Sequence, residues 1–302
     1  MRANDGDGPV LVTGAGGGVG GIGRMVVERL VERGYPVRAM VHREDDRAEA
    51  LRALGSQVVV GDLTVGPDVV DALRGCARMY FSMSVSDRYL EATTTVAATA
   101  RAHGGLRVLV NMSQMTVSQM DLQSVEESRQ QRLHWLSEQV LDWSGLPVVT
   151  VRPTVFMENP LFQVALATIA EDGVMRLPFG TGRSSPVAAR DVADVVATVL
   201  AEPDDHIGRR YELTGGASRD LTALADEFAA ALGRPVRYES PPLAQWRETV
   251  LGQLNLPDHV RDHIATMARL HALNRYDRQS PDVERLLGRP PTTLTEFLTH
   301  PR

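Results

Sequence analysis

The 302-residue sequence predicts a doubly wound α/β fold, a parallel sheet layered between helices, with a smaller, mostly helical C-terminal substrate lobe. Three observations carry this expectation. From Val10 onward, short apolar runs alternate with amphipathic segments, the pattern that stacks βα units into a parallel sheet. Gly34, Gly55, Gly75, Gly104 and Gly145 fall where the first five helices have to stop, and glycine accepts the left-handed turn that closes a helix. The first apolar run also leads directly into the glycine-rich segment Gly14-Ala-Gly-Gly-Gly-Val-Gly-Gly-Ile-Gly23 and then into a helix.

The elements follow in order. Strands are expected near 9–13, 36–41, 57–60, 78–82, 107–111 and 147–151, with helices near 22–33, 46–54, 67–73, 88–103 and 128–144 between them. Beyond Pro153 the pattern loosens. Segment 160–171 reads as helix, 173–188 is rich in Gly, Pro and Ser, 190–201 is an amphipathic helix, and 209–213 returns one strand to the sheet. Short helices at 218–232, 242–253, 257–272 and 281–286 surround a strand at 235–239. The expected organisation is therefore a nucleotide-binding Rossmann domain over 1–156, rejoined by 189–213, and a substrate or lid lobe made of 157–188 and 214–302.

Composition narrows the chemistry. All 32 Lys+Arg residues are arginine, which excludes Schiff bases, pyridoxal-phosphate attachment, a P-loop lysine and a Tyr-x-x-x-Lys catalytic pair. A net charge of -6 argues against nucleic acid as a partner. The single cysteine, Cys76, forbids an intramolecular disulfide and a cysteine metal site, which suits a reducing cytoplasm. No leader or membrane-spanning run is legible, so a cytoplasmic protein with a small-molecule substrate and no membrane partner is expected, and a homodimer stays open.

In the glycine segment, the turn needs positive φ, the backbone must approach a pyrophosphate closely, and the helix must pack tightly on the strand. The helix N-terminal amides then receive phosphate charge. Two registers fit, Gly14/Gly17/Gly20 and Gly17/Gly20/Gly23. We expect contact from Gly14, Gly17, Val19 and Gly20, with Gly23 permitting close packing. At the end of the second strand stand His42 and Arg43, where an NAD site would carry a carboxylate for the ribose hydroxyl. A guanidinium pairs with a 2'-phosphate, so NADP(H) is favoured over NAD(H). Asp62 and Leu63 follow strand three and are placed to meet the adenine. Ser82 and Met83 end strand four, beside the cofactor ribose and ring. Ser113 and Gln114 end strand five near the nicotinamide, where Pro153 and Thr154 close the other side. His259 and His263, at helical i, i+4 spacing, have no evident third ligand, so no metal is expected.

Taken together, the Val-Thr-Gly-Ala start of the glycine segment, Arg43, Gly61-Asp62-Leu63, Ser144-Gly-Leu-Pro147, Val151-Arg-Pro-Thr-Val-Phe-Met-Glu-Asn159 and Pro281-Asp-Val-Glu-Arg-Leu-Leu-Gly-Arg-Pro-Pro291 resemble the NmrA-like atypical short-chain dehydrogenases over nearly the whole chain. The resemblance implies an NAD(P)-binding fold. It also implies one of two functions: an NADPH-dependent reductase passing hydride to an electron-poor quinone, enone or ketone, or a non-catalytic NADP(H) sensor acting through a protein partner. Isoflavone-type reductases of the family carry a catalytic lysine on the fifth helix, and the equivalent position here, seven residues before Leu141, is His134. Imidazole titrates near neutral pH and can donate a proton. Glu138, four residues on, shares its helical face and would hold the ring. Ser113 matches the strand-end serine of the family. The expected catalytic set is therefore His134, Ser113 and Glu138.

Overall fold

A computed structural model of the chain describes residues 8–17 and 21–299. Val19 and Gly20 lie outside the described residues. The first half alternates strictly between strand and helix: β1 Val10–Val12, α1 Ile22–Glu32, β2 Val37–Val41, α2 Asp46–Ala53, β3 Gln57–Val60, α3 Gly66–Leu73, β4 Arg78–Phe81, α4 Tyr89–His103, β5 Val108–Met112, α5 Arg129–Trp143 and β6 Val148–Pro153. All five glycines expected at helix ends adopt positive φ, between 69° at Gly104 and 94° at Gly55. The left-handed conformation was the reason to place glycine there.

The remaining elements are α6 Pro160–Asp172, β7 Val174–Arg176, β8 Arg183–Ser184, α7 Ala189–Ala201, β9 Arg210–Leu213, β10 Arg219–Asp220, α8 Leu221–Leu232, β11 Arg237–Glu239, α9 Leu243–Thr249, α10 Asp258–Ala272, α11 Asp282–Leu287 and α12 Leu294–Thr299. The seven-stranded main sheet has the order β3-β2-β1-β4-β5-β6-β9, and every neighbouring pair runs parallel. The returning strand expected at 209–213 is β9, paired beside β6.

Strand residues alternate between two cores, as a period of two requires. Val10 and Val12 face the layer of α1 and α7, whereas Leu11 faces that of α3 and α4. Tyr80 belongs to the first layer, and its neighbours Met79 and Phe81 to the second. Burial on both faces is why these strands read as continuous apolar runs. Cys76 is a free thiol in the second layer. Among the described residues no helix is long and apolar enough to cross a membrane.

A third core joins Phe162 of α6, Phe228 of α8, Trp246 of α9 and Phe297 of α12. The segment read as Gly/Pro/Ser-rich contains β7, which pairs parallel with β11, and β8, which pairs antiparallel with β10. Two- and three-residue strands are too short to show a period. In this core His271 is fully buried and lies face to face with Phe179, ring centroids 4.0 Å apart, and with Tyr276, 3.7 Å apart. Its Nδ1 donates to the Met267 carbonyl at 2.8 Å, so Nε2 accepts from Ser184 Oγ at 3.3 Å. Burial pushes this imidazole down to about 3. Between that value and its ordinary one near 6.5, the unfolded chain binds a proton that the folded chain refuses, so stability is fully present above the unfolded value and falls with pH below it. The denaturant midpoint should therefore fall between about pH 7 and pH 5, with His271 contributing on the order of 1–2 kcal/mol. His271→Leu should flatten that slope whatever it does to stability at neutral pH, and an unchanged slope would refute the assignment.

Candidate cofactor cleft and active site

The chain leaves β1 outward to β3 and returns to β4 on the other side of β1. Helices therefore diverge from the carboxyl ends of β1 and β4, where a crevice must open. Thr13 fastens its floor: its hydroxyl accepts from the Ser82 N–H at 2.9 Å and donates to the Ser82 carbonyl at 2.8 Å. Two cavities meet there. One of about 460 Å³ runs between Met40, Arg43, Asp62 and Arg88, and one of about 370 Å³ runs between Met112, Ser113, His134, Thr154 and Tyr276. Both are bounded by Gly14, Gly17, Ser82, Met83 and Ser84, so they form one elongated cleft.

The glycine turn fits a pyrophosphate between those halves. Gly14 and Gly17 have φ of 68° and 97°, and a Cβ on Gly14 would stand 2.9 Å from the Ser82 carbonyl oxygen. A Cβ on Gly23 would lie 2.6 Å from the Gly14 carbonyl oxygen, so only glycine lets α1 approach this closely. Gly20 and Val19, the other expected contacts, fall in the undescribed 18–20 segment.

At the outer end, Arg43 is exposed and borders the cavity together with Leu63. The acids around it are engaged elsewhere. Glu44 pairs with Arg52, Asp45 caps α2 and pairs with Arg47, and Asp62 Oδ1 accepts from the Thr64 N–H at 2.8 Å and the Thr64 hydroxyl at 2.7 Å. Those two bonds, the backbone one foremost, hold the Asp62 carboxyl below its ordinary range. Its Oδ2 lies 3.6 Å from Arg88 and 3.7 Å from His42. Arg47 and Arg88, which also border this cavity, were not singled out from the sequence. Both lie outside the strand ends on which a topological reading relies.

At the inner end one expectation is corrected. Glu138 does not hold His134. Its carboxylate is almost completely buried and receives Arg152 through two bonds, Nε to Oε1 at 3.0 Å and Nη2 to Oε2 at 2.5 Å. Ser113 Oγ adds a third bond to Oε1 at 2.5 Å. The helical spacing of His134 and Glu138 is as expected, but one turn along α5 the helix passes from the cavity wall onto β5 and β6. A buried carboxylate there takes the nearest guanidinium. A carboxylate only accepts, so the Ser113 proton is committed to Glu138 and the serine presents lone pairs to the cavity.

His134 lines the cavity with its ring centroid 4.2 Å from that of Tyr89, whose hydroxyl donates to the Met112 carbonyl at 3.0 Å. Burial, and then the neighbouring His263, push His134 down to about 3. His263, on α10, is likewise lowered by burial to about 4. Ser128 Oγ accepts from the Gln131 N–H and is hydrogen-bonded to His263 Nδ1 at 2.7 Å. Thr154 is buried with its hydroxyl unpartnered, and it borders the cavity beside Pro153.

A doubly wound sheet with a glycine turn at its reversal point, opening into a cavity lined in part by α10, defines a dinucleotide-binding protein. Comparison with known proteins gives the family. The profile of the NAD(P)H-binding family matches residues 17–203, and the chain belongs to that family. An NAD(P)H azoreductase from Xenophilus azovorans is 29% identical over 286 residues, covering 93% of this chain and 94% of the relative. The NADPH-dependent quinone oxidoreductase QOR2 of Escherichia coli, solved with NADPH, superimposes with a TM-score of 0.83 at 26% identity over 96% of this chain and 99% of that one. NmrA, a negative transcriptional regulator solved with NADP, shares the fold with a TM-score of 0.78 at 16% identity, covering 97% and 95%. The chain is an NAD(P)H-dependent oxidoreductase.

The Glu138–Arg152 pair can be tested separately. Glu138→Leu leaves a largely buried guanidinium without its counter-charge and should cost about 3–5 kcal/mol. Adding Arg152→Met should recover most of it in chemical denaturation. Two single variants that simply add would show that the ion pair is not the source of the loss.

Proposed function

We propose that the protein reduces quinones and similar electron-poor carbonyl acceptors with NADPH. The observation that carries this reading is the make-up of the inner cavity, which no carboxylate or cationic side chain lines among the described residues. Its titratable side chains are His134 and His263, both held far below neutrality by burial, and Tyr276, pushed above its ordinary range by burial. None donates a proton readily near neutral pH. A ketone or an imine needs such an acid, whereas the reduced oxygens of a quinone take protons from water. The lysine-free composition agrees with this, as do the names of the azoreductase and quinone oxidoreductase relatives.

The cofactor supplies a hydride, and the reaction balances as quinone + NADPH + H⁺ giving hydroquinone + NADP⁺. The residues prepare the two ligands. Gly14 and Gly17 admit the pyrophosphate, and Ser82 and Met83 line the passage between the two cavities. Pro153, the Thr154 hydroxyl and the Ser113 lone pairs receive the nicotinamide side. Glu138 acts through Ser113, fixing its proton and hence its acceptor character, and is a positioning residue. His134 stays neutral and offers an N–H. Residues 157–188 and 214–299 form the lobe that closes the acceptor pocket, to which His263 and Tyr276 contribute. Arg43 receives the 2'-phosphate.

NADPH oxidation followed at about 340 nm should accelerate with naphthoquinones, and kcat/KM should stay flat between about pH 6 and pH 8 because no cavity group titrates there. A limb centred near the ordinary histidine value would show that an imidazolium does the work. Tight NADPH binding with no acceptor turned over would favour the sensor function instead. Arg43→Ala should weaken NADP⁺ about tenfold and leave NAD⁺ unchanged. Equal losses for both would remove Arg43 from the phosphate site.

A further inference from the structure

Gln130 is buried near the start of α5 and borders the inner cavity, yet half of its amide has no partner. The Oε1 atom accepts the Ser86 N–H at 3.2 Å. That bond decides which way the amide faces, because only the oxygen can accept, and it turns Nε2 with its two protons away from Ser86. The large majority of buried side-chain polar atoms are partnered in folded chains, so an orphaned amide nitrogen on a residue that borders a cavity points to a ligand that completes it. His134 stands one helical turn on, on the same wall, with its ring packed against Tyr89.

We propose that Gln130 is the anchor for the acceptor's carbonyl oxygen: its Nε2, joined by the His134 N–H, donates to the oxygen on which negative charge grows as hydride arrives. The proposal rests on the reductase reading and extends it to a residue that neither sequence pattern nor family resemblance points to. Two fixed neutral donors in a pocket walled by Met112, Met115, Ile264 and Met267 act where little water competes, the setting in which such donors stabilise an oxyanion most. They need not transfer a proton, which matches a site whose imidazoles are neutral. The preferred acceptor is therefore one with an exposed, strongly polarised carbonyl that becomes a hydroxyl on reduction.

Gln130→Met keeps the length and loses both amide functions, while Gln130→Glu keeps the acceptor for Ser86 N–H and replaces only the donor. The NADPH Kd, read by fluorescence, should stay within about twofold in both, whereas kcat/KM for 1,4-naphthoquinone should fall at least about tenfold in the Met variant and further in the Glu variant, whose carboxylate repels the growing charge. The Kd of 1,4-naphthoquinol for the NADP⁺-loaded protein should rise about tenfold, reading the oxygen contact without turnover. If the Met variant fails to fold, the Glu variant decides. Either folded variant with wild-type kcat/KM and quinol affinity overturns the assignment and leaves the reductase reading standing. A wild-type protein that binds NADPH but reduces no quinone removes both.

Discussion

The reversal of strand order between β1 and β4 is the constraint on which the remaining architecture depends. Parallel strands need right-handed crossovers, so a chain that builds outward from β1 and then restarts beside it must send successive helices to opposite faces. The gap this leaves at the carboxyl ends is set by topology, whatever the side chains. What the side chains do is hold its floor together. The Thr13 hydroxyl bridges both backbone groups of Ser82, so the first residues past β1 and β4 move as one. Gly14, whose Cβ would strike that same Ser82 carbonyl, and Gly23, packed against the Gly14 carbonyl, follow from it. The glycine spacing is a record of how closely three backbone segments meet.

A second junction, buried deeper, sets the geometry of the inner cavity. The register that puts Met112 beside Val151 carries Ser113 next to Arg152, and Glu138 closes the triangle from α5. The strand, helix and strand of one βαβ unit are locked by one carboxylate that receives three charge-assisted or hydroxyl bonds. Isolated, such a group would be costly to bury; satisfied this fully, it fixes a single arrangement. The same face of α5 that ends in Glu138 begins with Gln130 and passes through His134, so the junction also decides how the two cavity-lining residues are presented.

Much of the fold was legible in the sequence because its signals are local. Apolar runs buried on both sides mark the strands, and left-handed glycines mark the helix ends. The strand expected at 235–239 is β11, but its partner β7, the pair β8–β10 and α12 were not legible, because segments this short carry little periodic information of their own. The site divides along the same line. Residues at strand ends, such as Ser82, Ser113 and Pro153, are placed by topology alone, and they do line the cleft. Residues on helices are placed by how each helix is rotated, which helical spacing leaves open. Glu138 was therefore assigned to the wrong partner, and Gln130 was overlooked although it shares a face with His134. An orphaned amide nitrogen becomes visible only once the partner of its oxygen, Ser86, is known.

The absence of lysine becomes chemically specific at this point. A cavity whose imidazoles are neutral cannot provide the mobile proton that a lysine–tyrosine pair provides, and the wall that would have carried the lysine presents His134 and an amide. On the proposed reading, charge that forms on a substrate here is stabilised by fixed dipoles and neutralised afterwards by water. This division of labour selects among acceptors. Where the oxyanion is already delocalised, as in a semireduced aromatic ring system, dipoles suffice; where it is localised and strongly basic, as in an alkoxide, they do not. On the proposed reading, the burial that lowers both histidines would also limit the site to acceptors of the first kind.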